Sequence, residues 1–80
     1  MYRFLSDIPL GETAFVTKLI TKGSMRTRLK ELGLIPGTAV TKVGVSPMGD
    51  PCAYRIRGAV IALRNFDCTG VMVAREKLWD

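Results

Sequence analysis

The hydrophobic period along this chain switches from alternation to a helical repeat and back again. Thr13 to Ile20 (T-A-F-V-T-K-L-I) is rich in β-branched and aromatic residues and reads as a first strand. Its alternation is imperfect: Phe15, Val16 and Leu19 cannot all point one way, so part of the second face is expected to be covered. Met25, Leu29 and Leu32 then fall at i, i+4 and i+7, which places them on one helical face. Ser24 is expected to cap this helix through its hydroxyl, and Gly33 to end it in the left-handed conformation, with Leu34 folding back onto the apolar face. Pro36-Gly37 suits a turn that launches the next strand. Arg26 and Arg28 read as lying in the first turns, near the positive end of the helix dipole, and Glu31 near the negative end. Each such charge costs about 0.3–1 kcal/mol, which leaves two readings: exposed charges tolerated at that small cost, or arginines that face an acidic partner.

Alternation resumes in Thr38 to Val45, where Gly44 suggests a bulge or sharp bend. Ser46 to Pro51 is dense in turn residues and reads as a loop. Cys52 to Arg57 reads as a third strand, with Tyr54 and Ile56 on one face and Arg55 and Arg57 on the other. Gly58 allows a tight turn into Val60 to Leu63. Arg64 to Gly70 suits a single helical turn, and Val71 to Ala74 a last strand. Met1 to Gly11 reads as a leading segment without regular structure, and residues 75–80 as a tail. The prediction is one domain over 1–80, with its core in 5–74. It is a mainly β, five-stranded antiparallel barrel, partly open, with one short helix inserted between strands 1 and 2 and plugging the core.

Composition narrows the function classes. A chain of 80 residues buries only roughly 60% of its unfolded surface, so the core is thin. No apolar run approaches the roughly 20 residues of a membrane helix, and the N-terminus lacks the apolar segment of a signal peptide, so a cytoplasmic protein is expected. The net charge of +5 and pI near 9.7 favour an anionic partner. With no histidine, the chain lacks the commonest metal ligand and the usual neutral-pH base. Cys52 and Cys68 are the weak candidates for metal ligation, with Asp50, Asp67 or Met48 beside them. They have neither the close-pair spacing of a zinc site nor the clustered carboxylates or histidines of an iron site. No intrinsic metal or cofactor is therefore expected. Catalysis is not expected either: no nucleophile has a base, the carboxylates are scattered, and no phosphate-binding loop is present.

Binding surfaces remain. Arg55, Arg57 and Arg64 form a candidate basic patch for an acidic protein surface or nucleic acid. Nucleic-acid barrels interleave aromatics with their cations, whereas Tyr54 sits on the face opposite the arginines, which lowers that reading. Met48 and Asp50, in the Pro47 to Pro51 loop, are candidates for the edge of a peptide groove; the same loop also reads as a rigid hairpin connection. A homo-oligomer held through an open barrel edge is a further alternative.

R-L-K-E-L-G-L-I-P-G at Arg28 to Gly37, P-M-G-D-P at Pro47 to Pro51 and I-A-L-R at Ile61 to Arg64 together resemble the FeoA family, small cytoplasmic proteins of bacterial ferrous-iron uptake. L-S-D-I-P-L-G at Leu5 to Gly11 matches the family's usual opening. The resemblance runs from Leu5 to about Ala74 and makes Leu29, Leu32, Gly33, Pro36 and Gly37 the structural motif. It implies an SH3-like fold, related to the domain that ends iron- and manganese-dependent repressors. It also implies a non-enzymatic accessory role beside FeoB, a membrane transporter with a cytoplasmic GTP-binding domain, to which this protein would be recruited at the inner face of the membrane. The contact would involve Arg26, Arg28, Met48, Asp50, Arg55, Arg57 and Arg64. An arginine supplied in trans to another protein's GTPase site is a minor alternative, with Arg26 and Arg28 as candidates. Family membership carries an association of the pathway with Fe2+ or Zn2+ but transfers no ligand to this chain. At Cys68 the family more often has a small residue, which favours a buried structural cysteine.

Overall fold

Alternating β-branched residues do form the strands. A computed structural model describes residues 2–76. It contains β1 (Thr13–Leu19), α1 (Ser24–Glu31), β2 (Ala39–Val45), β3 (Cys52–Ile56), β4 (Ala59–Leu63), α2 (Asn65–Cys68) and β5 (Val71–Ala74). They make a five-stranded antiparallel sheet in the order β4-β3-β2-β1-β5, with β4 and β5 as its edges.

The faulty alternation of β1 has a local cause. Val16 pairs with Val73 but Lys18 pairs with Met72, so Thr17 is an extra residue and the face parity changes there. Ala14 and Val16 before the bulge and Leu19 after it are therefore all buried. The bend foreseen at Gly44 is present: Lys42 pairs with Tyr54 and Gly44 with Ala53, leaving Val43 as the bulged residue.

The helix stops as its sequence dictates but starts differently. The Leu34 N–H donates to the Leu29 carbonyl and the Gly33 N–H to the Lys30 carbonyl, both at 3.0 Å, with Gly33 at φ +104. This is the double bond of a Schellman stop, and it buries Leu34 completely. At the other end Ser24 does not cap. The N-cap is Gly23, at φ +74, and Ser24 is the first helical residue; a positive φ is readily reached by glycine alone. Leu29 is buried, while Met25 and Leu32 pack half-buried against the core. The Ile35–Thr38 turn closes through a bond from the Thr38 N–H to the Ile35 carbonyl at 3.0 Å, with Gly37 at φ +94.

Two further departures come from contacts the sequence does not display. The leading segment forms a 3-10 turn at Leu5–Asp7, where the Asp7 carboxylate accepts from the Phe4 N–H at 2.9 Å and the Arg3 N–H at 3.2 Å. Phe4 bridges to Met72, which ties this segment to β5. The third strand stops at Ile56. Arg57 (φ +51) and Gly58 (φ +85) form the two-residue turn into β4, the geometry of a type I′ hairpin. Leu5, Ile8, Val16, Leu29, Leu34, Val40, Tyr54, Ile56, Cys68 and Val71 are the largest fully buried side chains. Trp79 and the rest of the expected tail after Glu76 lie outside the described residues.

Candidate partner-binding surface

The cations around α1 are organised by its packing against the end of β1. Arg26 Nη1 donates to the Leu19 carbonyl at 2.7 Å and to the Thr21 carbonyl at 3.5 Å. Its place in the first helical turn is thus explained within the chain: the guanidinium serves carbonyls that leave β1. Arg28 lies in the last turn together with Lys30, not in the first turns. A cation there is favoured by the dipole by about 0.3–1 kcal/mol, so Arg28 carries no electrostatic penalty; it is exposed.

Beside Arg26 lies a cleft of about 190 Å³ between β1 and α1. Lys18, Arg26 and Lys30 surround it, and Leu19, Ile35 and Pro36 supply apolar lining. Thr17, Lys18 and Leu19 are consecutive, yet all touch the cleft; the bulge at Thr17 permits this where a regular strand would alternate. A second cleft, of about 420 Å³, separates α1 from α2 and is edged by Lys22, Met25, Phe66 and Asp67. Phe66 is 83% exposed. Gly70 belongs to its wall, and a methyl group at Gly70 would land on the Thr21 hydroxyl. That close approach accounts for a glycine that fits no sequence motif.

The remaining candidates do not come together. Arg55 is exposed on the outer face of the sheet, paired with Thr41 and Val60. Arg57 is not on that face. It sits in the hairpin turn, and a Cβ placed on Gly33 would lie 2.5 Å from the Arg57 Cδ, so the Arg57 stem covers the end of α1. Arg64 is the N-cap residue of α2. Arg55, Arg57 and Arg64 therefore form no continuous strand-face patch.

Met48 is 91% exposed at the tip of the β2–β3 loop. Asp50 is occupied: its carboxylate accepts from the Asn65 N–H at 2.9 Å, and Asn65 Nδ2 donates to the Gly49 carbonyl at 3.1 Å. These bonds clamp the loop onto the start of α2 and satisfy one of its unpaired N–H groups. Cys52 joins the clamp, its thiol donating to the Gly49 carbonyl at 3.4 Å.

Cys52 and Cys68 are free thiols and both are buried. Burial pushes the Cys68 thiol up to about 11, offset in part by Tyr54, which makes it a poor thiolate ligand at neutral pH. Tyr54 is fully buried; its hydroxyl meets no partner at full hydrogen-bond geometry and has the weakly bonding Cys68 thiol close by. Desolvation raises its pKa strongly, with further contributions from the nearby Cys68, Cys52 and Asp50. Among the described residues no three Cys, Asp or Glu side chains gather where an ion could sit. Two buried thiols and a neutral phenol do not fit a resident Fe2+ or Zn2+.

Lys18, Lys30, Ile35 and Phe66 are the surface residues that sequence reading passed over. Lys18 and Lys30 are scattered single cations along the chain, and only the packing of α1 on β1 brings them together. Phe66 carried a usable signal, an aromatic in an otherwise polar short segment.

The FeoA domain family matches residues 4–75 of this chain. The Fe(2+) transport protein A/Fe(2+) transporter FeoB fusion protein of Porphyromonas gingivalis (strain ATCC BAA-308 / W83) is 32% identical over 69 residues, 86% of this chain. The chain spans only 8% of that relative's length. The crystal structure of Stenotrophomonas maltophilia FeoA complexed with zinc, described as a prokaryotic SH3 domain protein, is 30% identical with a TM-score of 0.78, covering 88% of this chain and 87% of that one. T. acidophilum IdeR, at 19% identity and TM-score 0.77 over 90% of this chain and 33% of that one, shares the fold.

Proposed function

Because the chain belongs to the FeoA family, we propose that it is a non-enzymatic, cytoplasmic accessory protein of bacterial ferrous-iron uptake that acts by contact with a FeoB-type transporter. The observation that carries this reading is the fusion relative, in which the matching segment is joined in one chain to the transporter. Covalent joining makes an encounter intramolecular and raises its effective concentration. Joined or not, a domain of this fold meets the transporter through its own surface. The exposed helix α1 with Arg28 is that surface, flanked by the cleft with Lys18, Arg26 and Lys30. Iron is the transporter's cargo in this reading, and Cys52 and Cys68 hold no resident ion. Arg26 is a poorer candidate than Arg28 for an arginine acting in trans on a GTPase site, because its guanidinium is engaged by the Leu19 carbonyl.

The test is a titration of the purified protein with the transporter's cytoplasmic GTP-binding domain, run beside a fluorescent RNA oligomer at moderate salt. Binding to the domain, weakened about tenfold or more by Arg28→Glu as expected for a charge at an interface, supports the reading. Salt-sensitive binding to RNA alone replaces it with a nucleic-acid barrel. Binding to neither moves the test to the full transporter in detergent, and absence of binding there ends it.

A further inference from the structure

The cleft between β1 and α1 holds three cations, Lys18, Arg26 and Lys30, and no carboxylate lines it. Arg26 and Lys30 are i and i+4 on one helix face, a like-charge pair that costs about 0.2–0.5 kcal/mol by itself. Lys18 faces them from β1, adding to the repulsion. Arg26 is held in place by Nη1 through the Leu19 and Thr21 carbonyls; its remaining N–H donors take no part in those bonds. Between the cations the surface is apolar, and Ile35 is 38% exposed. A concave, low-dielectric wall concentrates the positive potential of such a cluster. A ligand that satisfies this surface carries negative charge to the rim and an aliphatic group to the floor.

We propose that this cleft docks an acidic segment of a partner protein, with an aliphatic side chain seated against Leu19, Ile35 and Pro36 and carboxylates paired with Lys18, Arg26 and Lys30. The proposal rests on the reading that the protein works through a protein partner, and it names the chemistry of the contact. Arg26 is the anchor, since its guanidinium is oriented before the partner arrives and little further ordering is needed. Lys18 and Lys30 steer the encounter and set its salt dependence.

The experiment follows backbone amide shifts of the isotope-labelled full chain during titration with synthetic peptides. The probe is an acetylated hexapeptide with two central leucines flanked by aspartate and glutamate; controls replace the acids by lysine or the leucines by serine. The expected result is that shifts concentrate at Lys18, Arg26, Lys30 and Ile35 for the acidic leucine peptide, and that affinity falls as salt rises from about 0.05 to about 0.5 M. The double variant Lys18→Glu/Lys30→Glu, with its spectrum otherwise unchanged, is expected to bind about tenfold more weakly or worse. Shifts that are absent, scattered over the surface, or equal for the lysine peptide overturn the proposal. So does an RNA oligomer that shifts the same amides with higher affinity than the peptide.

The transporter's GTP-binding domain separates the two readings. If it binds wild type and the double variant equally, the cleft is wrong and the accessory role stands. If the acidic peptide fills the cleft while the whole transporter does not bind, the cleft stands and the accessory role fails.

Discussion

Tyr54 and Cys68 concentrate the residue-scale energetics. A buried hydroxyl without a well-formed hydrogen bond costs about 1–3 kcal/mol, and Tyr54 has one, with only the weakly bonding Cys68 thiol near it. Tyr54→Phe is therefore expected to leave stability unchanged or raise it by up to about 1 kcal/mol at pH 7, read from the urea midpoint. A clear loss would show that the hydroxyl is satisfied. The same pair sets the alkaline limit. The folded Cys68 thiol is raised from 9.0 to about 11 and Tyr54 is raised above its ordinary 10.0. The folded state therefore holds its protons more tightly than the unfolded chain. The Cys68 contribution is complete below pH 9 and is lost as the pH climbs through about 11, whereas that of Tyr54 begins to fall only near pH 10 and goes on falling above that window. For Cys68 alone the loss is about 3 kcal/mol. Urea midpoints at rising pH are expected to fall over that window, with a shallower fall in Cys68→Ala; a flat profile would contradict the burial of both groups.

The helix α1 owes its end to a local signal that was readable, whereas α2 owes its stability to contacts that were not. Gly33 ends α1 because a left-handed residue lets two N–H groups turn back onto Leu29 and Lys30. The four residues of α2 make too little helix to persist alone. It is held by the burial of Cys68 and by the β2–β3 loop, through Asp50 on the Asn65 N–H and Gly49 on the Asn65 side chain. Asp50→Ala is expected to cost about 1 kcal/mol of global stability and to speed amide exchange in α2 ahead of the strands. Unchanged exchange at Asn65 to Cys68 would show that the clamp is dispensable. Met48, at the tip of the same loop, is exposed and outside the clamp, so Met48→Ala is expected to leave stability unaffected.

Across the whole molecule, the sheet order places β3, β2 and β1 inside and leaves β4 and β5 at the edges. Val40 at the centre is fully buried, whereas Val60 on β4 is 57% exposed. Local opening energies follow burial and pairing. The amides of β1 and β2 at Val16, Val40 and Thr41 are therefore expected to exchange most slowly, and those of β4 and α2 fastest among regular elements. Slow exchange across β4 would mean that another chain covers that edge in solution, the arrangement required by a homo-oligomer. The basic charge is spread over the sheet face, the hairpin turn, the helix end and the α1 cleft. Among the described residues, the cleft is where three cations gather around apolar surface.

The existence and order of the strands, the helical stripe, the Schellman stop and the turn at Pro36-Gly37 were determined by the sequence itself, because each depends on residues within one turn or one strand. The family resemblance rested on those same short-range motifs. Tertiary structure alone decided the rest. The bulge at Thr17 exists because β1 must pair with β5 while burying Leu19. Arg57 leaves the strand because the hairpin needs two residues at positive φ. Arg26 turns inward to the Leu19 carbonyl, and Asp50 to α2. The α1 cleft joins Lys18, Arg26, Lys30 and Ile35, side chains whose meeting depends on how a helix lies against a strand. A linear pattern records the period of an element; the angle and contacts between elements arise only when they pack.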